Sequence, residues 1–325
     1  MNSPVKLFFR KKRIGVNSIE SVFQSIDPNF IEHKNETLPH EGGSPLIILK
    51  NILFAKKRAN KINHITGDVH YIVLGTGRRS LLTIHDVGSA FTSGWFKKLY
   101  VKLFWFWIPT LIAKRISVIS DTTKNDVLKV CPWSKNKIRV IPNPYNTAFN
   151  GIERTTISTN PRILHIGTKK NKNLERTIDA LTTLNCHLVI IGMLSDGQKE
   201  LLNKSGIHYE NAYDISLLQL VEEYRKCDIV SFPSSFEGFG MPIIEAQAAM
   251  RPVLAGDIPV LRDVAGKNGA LFVNPMSIES IRSGFVKLIK DSSLRHALVI
   301  NGKENIKRFH PSRIAAMYNE IYKTL

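Results

Sequence analysis

The chain has 325 residues, of which 43% are hydrophobic and 22% are charged. This composition is typical of a soluble globular protein, and the length is sufficient for two domains. The three cysteines are widely spaced and form no metal-binding pattern. An odd number of cysteines argues against a disulfide framework, so we expect a reduced, cytoplasmic protein.

The net charge of +18 is unevenly distributed along the chain: residues 1–150 hold 23 Lys and Arg against 9 Asp and Glu, whereas residues 151–325 hold 22 against 18. A positive field favours polyanionic partners, either nucleic acid or the anionic inner face of a cytoplasmic membrane. No apolar signal core follows the basic N-terminus, and the longest uncharged apolar stretch, residues 103–113, is too short to span a bilayer.

The first half opens with a predicted strand at residues 5–9, a basic cluster at residues 10–13, a turn at Gly15 and a helix that Asn17 is expected to cap. This order opens many doubly wound domains, whose ligands lie at the carboxyl ends of the strands. The basic cluster either meets an acceptor phosphate there or is a solvated charge run, and the sequence leaves both open. Apolar runs predict further strands at residues 46–49, 62–65, 80–85, 116–120 and 137–141.

His85 and Asp86 come at the end of the predicted strand at residues 80–85. A lone histidine at a strand end is more often structural than functional. Here it is expected at the edge of the sheet where ligands bind, which makes His85 a candidate functional residue.

Residues 93–115 are dense in aromatic side chains and carry basic residues at both ends. Their pattern predicts a helical stretch that Pro109 kinks or ends. The stretch is either a core helix packed on the sheet or a basic, aromatic surface of the kind that peripheral membrane enzymes use. Both interpretations hold together if each describes one face of the helix.

The second half begins with a predicted strand at residues 162–166, followed by Gly167, Thr168, a basic loop that contains Lys172, and a helix from Leu174. Backbone N–H groups at the start of a helix and a nearby ammonium group both favour phosphate. We therefore expect an anion-binding loop here in preference to a solvated basic turn.

The most informative stretch runs from a predicted strand at residues 228–232 through a glycine-rich loop to a helix that begins at Pro242. The loop is a second phosphate-type site, and Glu237 and Glu245 lie in or beside it. Phosphate sites with two carboxylates suit a ligand that carries phosphates and hydroxyls together, such as a nucleotide sugar. The alternative is that Glu237 is a solvated loop residue and Glu245 a favourable acid in the first helical turn.

Glu237, seven intervening residues and Glu245, with Gly238-Phe239-Gly240 between them, resemble the signature of retaining glycosyltransferases of family four, the group 1 enzymes typical of bacterial surface-polysaccharide synthesis. That family has the GT-B fold, an α/β architecture of two doubly wound Rossmann-like domains facing a central cleft. The resemblance implies three parts: an acceptor-side domain at residues 1–150, a nucleotide-sugar-binding domain at residues 151–308, and a C-terminal helix at residues 309–325 that crosses back to the first domain.

The resemblance also implies a role for individual residues. Lys172 would contact the donor diphosphate, Glu237 would hold sugar hydroxyls and Glu245 would accept from the ribose hydroxyls. His85 would line the reacting sugar, so the implied catalytic residues are Glu237, His85 and Lys172. The implied donor-binding residues are Gly167, Thr168, Lys172, Glu237, Gly238, Phe239, Gly240, Met241 and Glu245, and those of the acceptor side are Gly15, His85 and Asp86. Thr168 replaces the family's usual arginine, which leaves open how many charges meet the diphosphate.

The implied enzyme is a hexosyltransferase that moves a sugar, with retention at its anomeric carbon, from a nucleoside-diphosphate sugar to a glycan or lipid-linked glycan acceptor. We expect it on the inner face of the cytoplasmic membrane, without a cofactor or a nucleic-acid partner. The chain contains no Asp-X-Asp motif, so no metal is expected. Two alternatives remain: a GT-B sugar-nucleotide epimerase, which needs no acceptor, and a basic nucleic-acid-binding protein, which the charge suggests but no reader motif supports.

Overall fold

The computed structural model describes residues 4–11, 18–26, 29–91, 94–151 and 156–325. The predicted Gly15 turn and Asn17 cap lie outside these ranges. The chain forms two compact units: the first contains residues 1–144 and 311–325, and the second contains residues 145–310. Each unit is built on one parallel sheet with helices between successive strands.

The sheet of the first unit has six parallel strands in the order β2-β1-β3-β4-β5-β6. The chain moves to one side of β1 and then to the other, which creates a topological switch point between β1 and β3. The strands are β1 (Val5–Phe9), β2 (His33–Thr37), β3 (Asn63–Ile65), β4 (Ser80–Ile84), β5 (Arg115–Val118) and β6 (Ile138–Val140).

Helices cover both faces of this sheet. Alternate residues of β1 point to opposite faces: Phe8 packs into one hydrophobic core, and Val5 and Leu7 pack into another. The helices before the second unit are α1 (Ser18–Ile26), α2 (Pro45–Arg58), α3 (Val73–Thr76), α4 (Trp95–Val101), α5 (Ile108–Ile112) and α6 (Asp121–Val130).

The predicted strand at residues 46–49 is wrong, because these residues belong to α2. A short apolar run fits a buried strand and a buried helix equally well. Pro45 occupies the start of the helix, where its missing N–H costs nothing, and the buried Ile48, Asn51 and Ala55 are spaced by three and four residues. No apolar run marks β2, whose sequence is HKNET, since it is a polar strand at the edge of the sheet.

The aromatic stretch forms consecutive helical segments of different type. A π-helical turn at residues 102–107 follows α4, and α5 contains Pro109 in its first turn. Proline donates no N–H to the carbonyl four residues earlier, and the Trp105 carbonyl instead lies 2.7 Å from His70 Nδ1. The wider turn thus accommodates the proline within a continuous helical stretch.

The sheet of the second unit has six parallel strands in the order β12-β11-β10-β7-β8-β9, with its switch point between β7 and β10. Its strands are β7 (Arg162–Ile166), β8 (His187–Ile191), β9 (His208–Ala212), β10 (Ile229–Phe232), β11 (Val253–Gly256) and β12 (Leu271–Val273). Its helices are α7 (Leu174–Leu181), α8 (Asp196–Ser205), α9 (Leu217–Lys226), α10 (Met241–Ala248), α11 (Pro259–Ala265), α12 (Ile278–Lys290) and α13 (Ser292–Asn305). None of the helices described in either unit is both long and apolar enough to cross a membrane.

The last helix, α14 (Pro311–Lys323), belongs to the first unit. Its Tyr322 hydroxyl lies 2.6 Å from His64 Nδ1, and His64 Nε2 lies 2.7 Å from Thr83 Oγ1. All three side chains are buried, and burial lowers the pKa of His64 to about 3. The imidazole is therefore neutral, with one partner for each ring nitrogen, and it ties α14 to the sheet.

Replacing Tyr322 with Phe leaves one buried imidazole nitrogen of His64 without its partner. We expect the free energy of unfolding of the first unit to fall by about 1–3 kcal/mol. All four tryptophans lie in this unit, so tryptophan fluorescence during urea unfolding reports on it. Tyr213→Phe, at an exposed position of the second unit, is the control. A Tyr322→Phe transition that coincides with the wild-type transition would show that the contact contributes nothing to stability.

Candidate functional site

The candidate site of the second unit is formed by the loops that leave β7 and β10 at the switch point. The carboxyl ends of these strands are adjacent, because His165 pairs in register with Ser231. Residues 167–173 follow β7 and residues 233–240 follow β10, and a hydrogen bond of 2.9 Å from Ser235 N to Asn171 O joins the two loops. Both phosphate-type loops of the sequence therefore meet at one edge of the sheet.

Lys172 and Glu237 are in contact across these loops. Lys172 Nζ donates to Glu237 Oε1 at 2.5 Å, and Asn171 Nδ2 donates to the same oxygen at 3.3 Å. The two charged side chains are 21% and 12% exposed, so solvent screens their attraction less than it screens a surface ion pair. The Lys172 ammonium also lies 4.8 Å from the centre of the Phe232 ring. A cation and a carboxylate are thus held together at the strand ends.

Asn173 fixes the conformation of the loop after β7. Its φ is 66°, a left-handed conformation that asparagine adopts more readily than most residues. Its Nδ2 donates to the carbonyls of Pro233 at 3.1 Å and Pro275 at 2.5 Å. One buried side chain therefore joins the start of α7 to the segments that follow β10 and β12.

Glu245 has a different environment from Glu237. Helix α10 begins at Met241, so Glu245 is its fifth residue and lies beyond the first turn of 3.6 residues. The interpretation of Glu245 as a first-turn acid is therefore wrong. Glu245 Oε2 accepts from the Tyr224 hydroxyl at 2.7 Å. Burial raises the pKa of Glu245 to about 7, although the Tyr224 hydrogen bond and the Lys172 charge oppose this shift.

Two of the predicted glycines have backbones that disfavour other residues. Gly167 and Gly240 have φ values of 92° and 112°. A Cβ atom at Gly167 would lie 2.9 Å from Lys172 Cγ, and one at Gly240 would lie 2.5 Å from Leu261 Cδ2. The missing side chain at Gly167 therefore makes room for the aliphatic stem of Lys172.

The remaining predicted donor-binding residues differ in what they can offer a ligand. The Thr168 hydroxyl donates to the Met193 carbonyl at 2.6 Å, so it is engaged by the loop after β8. Phe239 is buried, and its ring packs edge to face against Phe309 with the centroids 5.7 Å apart. Phe239 can therefore offer a ligand only its backbone. The two residues that flank the Phe239-Gly240 pair, Gly238 and Met241, are half-buried.

The first unit contains the residues predicted for the acceptor side. His85 follows β4 and is half-buried, and its Nε2 lies 2.9 Å from the Thr66 carbonyl. Burial lowers the pKa of His85, although the Thr66 carbonyl and the Asp86 carboxylate oppose this shift. The ring is therefore neutral near neutral pH, with its proton assigned to Nε2 by the hydrogen bond. Asp86 is exposed and accepts from the backbone N–H two residues later, and Gly15 lies outside the described residues.

The part of the chain that the structure describes contains no group of three or more His, Cys, Asp and Glu side chains that could hold a metal ion. The expectation that no metal is needed stays a prediction.

Two residues of the site have no marker in the sequence. Tyr224 lies 21 residues before Glu245 on a helix whose apolar spacing suits simple burial. Asn171 is one polar residue in a polar loop. Asn173 does have a signal, since an asparagine immediately before a helix is a common boundary residue.

Comparison with known proteins yields a family match in the second unit. Residues 153–305 match the family described as glycosyl transferases group 1. The chain is 28% identical over 217 residues, 63% of its length, to the O-antigen chain mannosyltransferase RfbU of Salmonella typhimurium, of which 60% is covered. It is 25% identical over 124 residues, 38% of its length, to the N,N'-diacetylbacillosaminyl-diphospho-undecaprenol alpha-1,3-N-acetylgalactosaminyltransferase of Campylobacter jejuni, of which 32% is covered. The chain thus spans about three fifths of the first relative and about a third of the second.

A solved structure shares the fold along almost the whole chain. Anabaena Alr3699/HepE in complex with UDP-glucose matches with a TM-score of 0.80, covering 98% of this chain and 100% of that one, at 15% sequence identity. At this identity the likeness shows the fold alone. Together with the two parallel sheets, it confirms the predicted GT-B fold class.

Gly240→Ala places a side chain in the left-handed region and against Leu261, so we expect the second unit to lose about 1–3 kcal/mol of stability. Calorimetric unfolding measures this loss. Gly197→Ala is the matched control, because an added Cβ there meets no heavy atom within 4 Å and the residue lies in α8. If Gly240→Ala unfolds at the same temperature as Gly197→Ala, the loop does not require a glycine at this position.

Proposed function

We propose that this chain, whose residues 153–305 match the glycosyl transferases group 1 family, moves a sugar from a nucleoside-diphosphate sugar to a glycan or lipid-linked glycan acceptor with retention at the anomeric carbon. One observation carries the proposal: Lys172 and Glu237 are in contact at the switch point. Glu245, the second carboxylate, is half-buried and is bonded to the Tyr224 hydroxyl. A cation beside strand-end loops suits a diphosphate, and two carboxylates in unlike environments suit two sets of hydroxyls.

The donor diphosphate binds Lys172 and the backbone N–H groups of the loop that enters α10. These groups oppose the negative charge that the leaving group gains in the transition state, which is where electrostatic stabilisation accelerates transfer. The positive charge comes from the protein itself, so the proposed reaction requires no metal.

Glu237 and Glu245 hold different hydroxyls of the donor. Glu237 is 2.5 Å from the Lys172 ammonium, so a hydroxyl bonded to its carboxylate lies next to the diphosphate, where the transferred sugar begins. Glu245 takes the ribose, because an ionised carboxylate accepts hydrogen bonds from neighbouring hydroxyls. HepE, which matches this fold, was solved with UDP-glucose bound.

The acceptor is served by the first unit, where His85 and Asp86 follow β4. Since His85 Nε2 donates to the Thr66 carbonyl, Nδ1 keeps a lone pair for a substrate hydroxyl. Two relatives support the acceptor class: one is named for the O-antigen chain and the other for a diphospho-undecaprenol-linked sugar. Synthesis of a cell-surface polysaccharide is the setting that fits both names.

A thermal-shift panel of UDP-, GDP-, ADP- and dTDP-linked sugars tests donor binding. One class should stabilise the protein by about 2.7 kcal/mol when present at roughly a hundred times its dissociation constant. Glu245→Ala should remove most of this stabilisation, because the ribose loses its acceptor. Glu222→Ala, at an exposed position of α9, should retain it. A full response from Glu245→Ala would contradict the ribose role.

Product analysis with the donor from this panel separates transfer from epimerisation. Transfer releases a nucleoside diphosphate and forms a glycoside whose anomeric configuration, read by NMR, matches that of the donor. A new free nucleotide sugar formed without acceptor would identify an epimerase, and an inverted linkage would contradict retention.

We also propose that the first unit binds the anionic inner face of the cytoplasmic membrane through a basic aromatic surface. Trp95 and Phe96 are 69% and 81% exposed, and their rings pack edge to face with centroids 4.6 Å apart. No acidic residue occurs between Asp86 and Asp121. Exposed aromatic rings among lysines suit the interface of an anionic bilayer. The basic aromatic surface consists of Phe91, Trp95, Phe96, Lys97, Lys98, Leu99 and Lys102.

Co-sedimentation with phosphatidylglycerol-containing vesicles at physiological salt tests this surface. The double variant Trp95→Ser/Phe96→Ser should bind at least about tenfold more weakly than the wild type, since it loses most of the exposed apolar area. Leu218→Ser removes an equally exposed apolar side chain from the second unit and should bind normally. The proposal would be contradicted if the wild-type protein did not bind the vesicles, or if it bound nucleic acid in their place.

A further inference from the structure

We propose that Tyr224 is a positioning residue for donor recognition: its hydroxyl fixes one oxygen of the Glu245 carboxylate, so that the other oxygen faces the ribose. This inference rests on the proposed function, in which Glu245 accepts from the ribose hydroxyls. Tyr224 itself does not touch the donor. It orients the Glu245 carboxylate, which does.

The Tyr224 side chain is held in one place by its surroundings. It is 0% exposed, and its ring packs edge to face against Phe149 with the centroids 5.1 Å apart. Phe149 is itself buried in a short 3-10 turn, in which the Ala148 N–H donates to the Asn146 side chain at 2.9 Å. The phenol therefore delivers its hydroxyl to a fixed point, 2.7 Å from Glu245 Oε2.

The Glu245 carboxylate makes no other hydrogen bond within the described residues, so Oε1 has no hydrogen-bond partner there. The side chain is half-buried, which leaves it a path to a ligand. A carboxylate anchored through one oxygen loses rotational freedom before the ligand arrives, and its hydrogen bond to the ribose costs less entropy.

Because the Tyr224 hydroxyl is an uncharged hydrogen-bond donor, Glu245 does not need the Lys172 ammonium as a partner. Lys172 is the cation that acts on Glu245, and it donates to Glu237 at 2.5 Å. If Tyr224 did not satisfy Glu245, this carboxylate would compete for the same ammonium group. With the phenol in place, the lysine stays with Glu237 and remains available to a diphosphate.

The protonation of Glu245 gives the arrangement a measurable signature. Tyr224 stays a donor at all working pH values, because burial and then the Glu245 charge raise the pKa of its hydroxyl well above 10, with a smaller contribution from Cys227. The hydrogen bond from Tyr224 and the charge of Lys172 both lower the pKa of Glu245, against the burial that raises it. Loss of the Tyr224 hydroxyl therefore raises this pKa, and the ionised form needed for the ribose is lost at a higher pH.

The experiment measures the dissociation constants of UDP, GDP and ADP for wild type and Tyr224→Phe as a function of pH. Tyr224→Phe should bind the preferred nucleotide about tenfold to a hundredfold more weakly at neutral pH, the range expected when a hydrogen bond to a charged group is removed. The pH at which binding is half lost should move upward. In steady state, KM for the donor should rise while kcat stays the same, because the ribose is held equally in the ground and transition states.

Two controls separate positioning from a merely structural role. Tyr209→Phe, on β9 of the same unit, should leave the pH profile unchanged. Adding Tyr224→Phe to Glu245→Gln should cost little more than Glu245→Gln alone, because both changes remove one interaction. Tyr224→Met, which also lacks the hydroxyl, replaces Tyr224→Phe if that variant does not fold.

The outcomes are distinct. An unshifted pH profile in Tyr224→Phe, or additive losses in the double variant, would overturn the role of Tyr224 while leaving nucleotide binding in place. Wild-type protein that binds neither these three nucleotides nor dTDP would instead contradict the proposed function, and the role of Tyr224 with it.

Discussion

The strand order of the second sheet is the constraint on which the candidate site rests. Because the order reverses between β7 and β10, the loops after these two strands leave the sheet side by side. Asn173 then ties the first loop to the segments after β10 and β12. Lys172 and Glu237, 65 residues apart in the chain, meet only because their strands are neighbours. A loop sequence alone could supply a lysine or a carboxylate, but this sheet is what makes them a pair.

In this site, the two glutamate side chains have different environments and therefore different properties. Glu237 lies in a loop beside a cation, whereas Glu245 lies in a helix against a buried phenol, and burial raises the pKa of Glu245 to about 7. Environments that separate two carboxylates in this way also separate their roles. The division between sugar and ribose, which the family resemblance implied, remains a proposal that these different surroundings support.

The first unit shows how one stretch of chain serves two environments. Its aromatic residues begin in α4, where Trp95 and Phe96 are exposed, and continue through the π-helical turn, where Phe106 is buried in the core. Trp105 and Trp107 pack against the same core from partly buried positions. The change of helix type accompanies this passage from surface to interior, and Lys97 and Lys98 lie beside the exposed rings of α4.

Much of this protein follows from local patterns. The predicted strands at residues 5–9 and 162–166 coincide with β1 and β7, since apolar runs bounded by turn residues leave few other structures. The spacing of Glu237 and Glu245 around a glycine-rich loop was enough to indicate a resemblance to the family that residues 153–305 match. Three features depended on contacts distant in sequence: α2 in place of a strand, the polar strand β2, and the hydrogen bond from Tyr224 to Glu245. The short apolar run in α2 fits a helix and a strand equally well. The polar strand β2 is stabilised by pairing with β1. The Tyr224–Glu245 pair joins two helices and exists only once the sheet has brought them together.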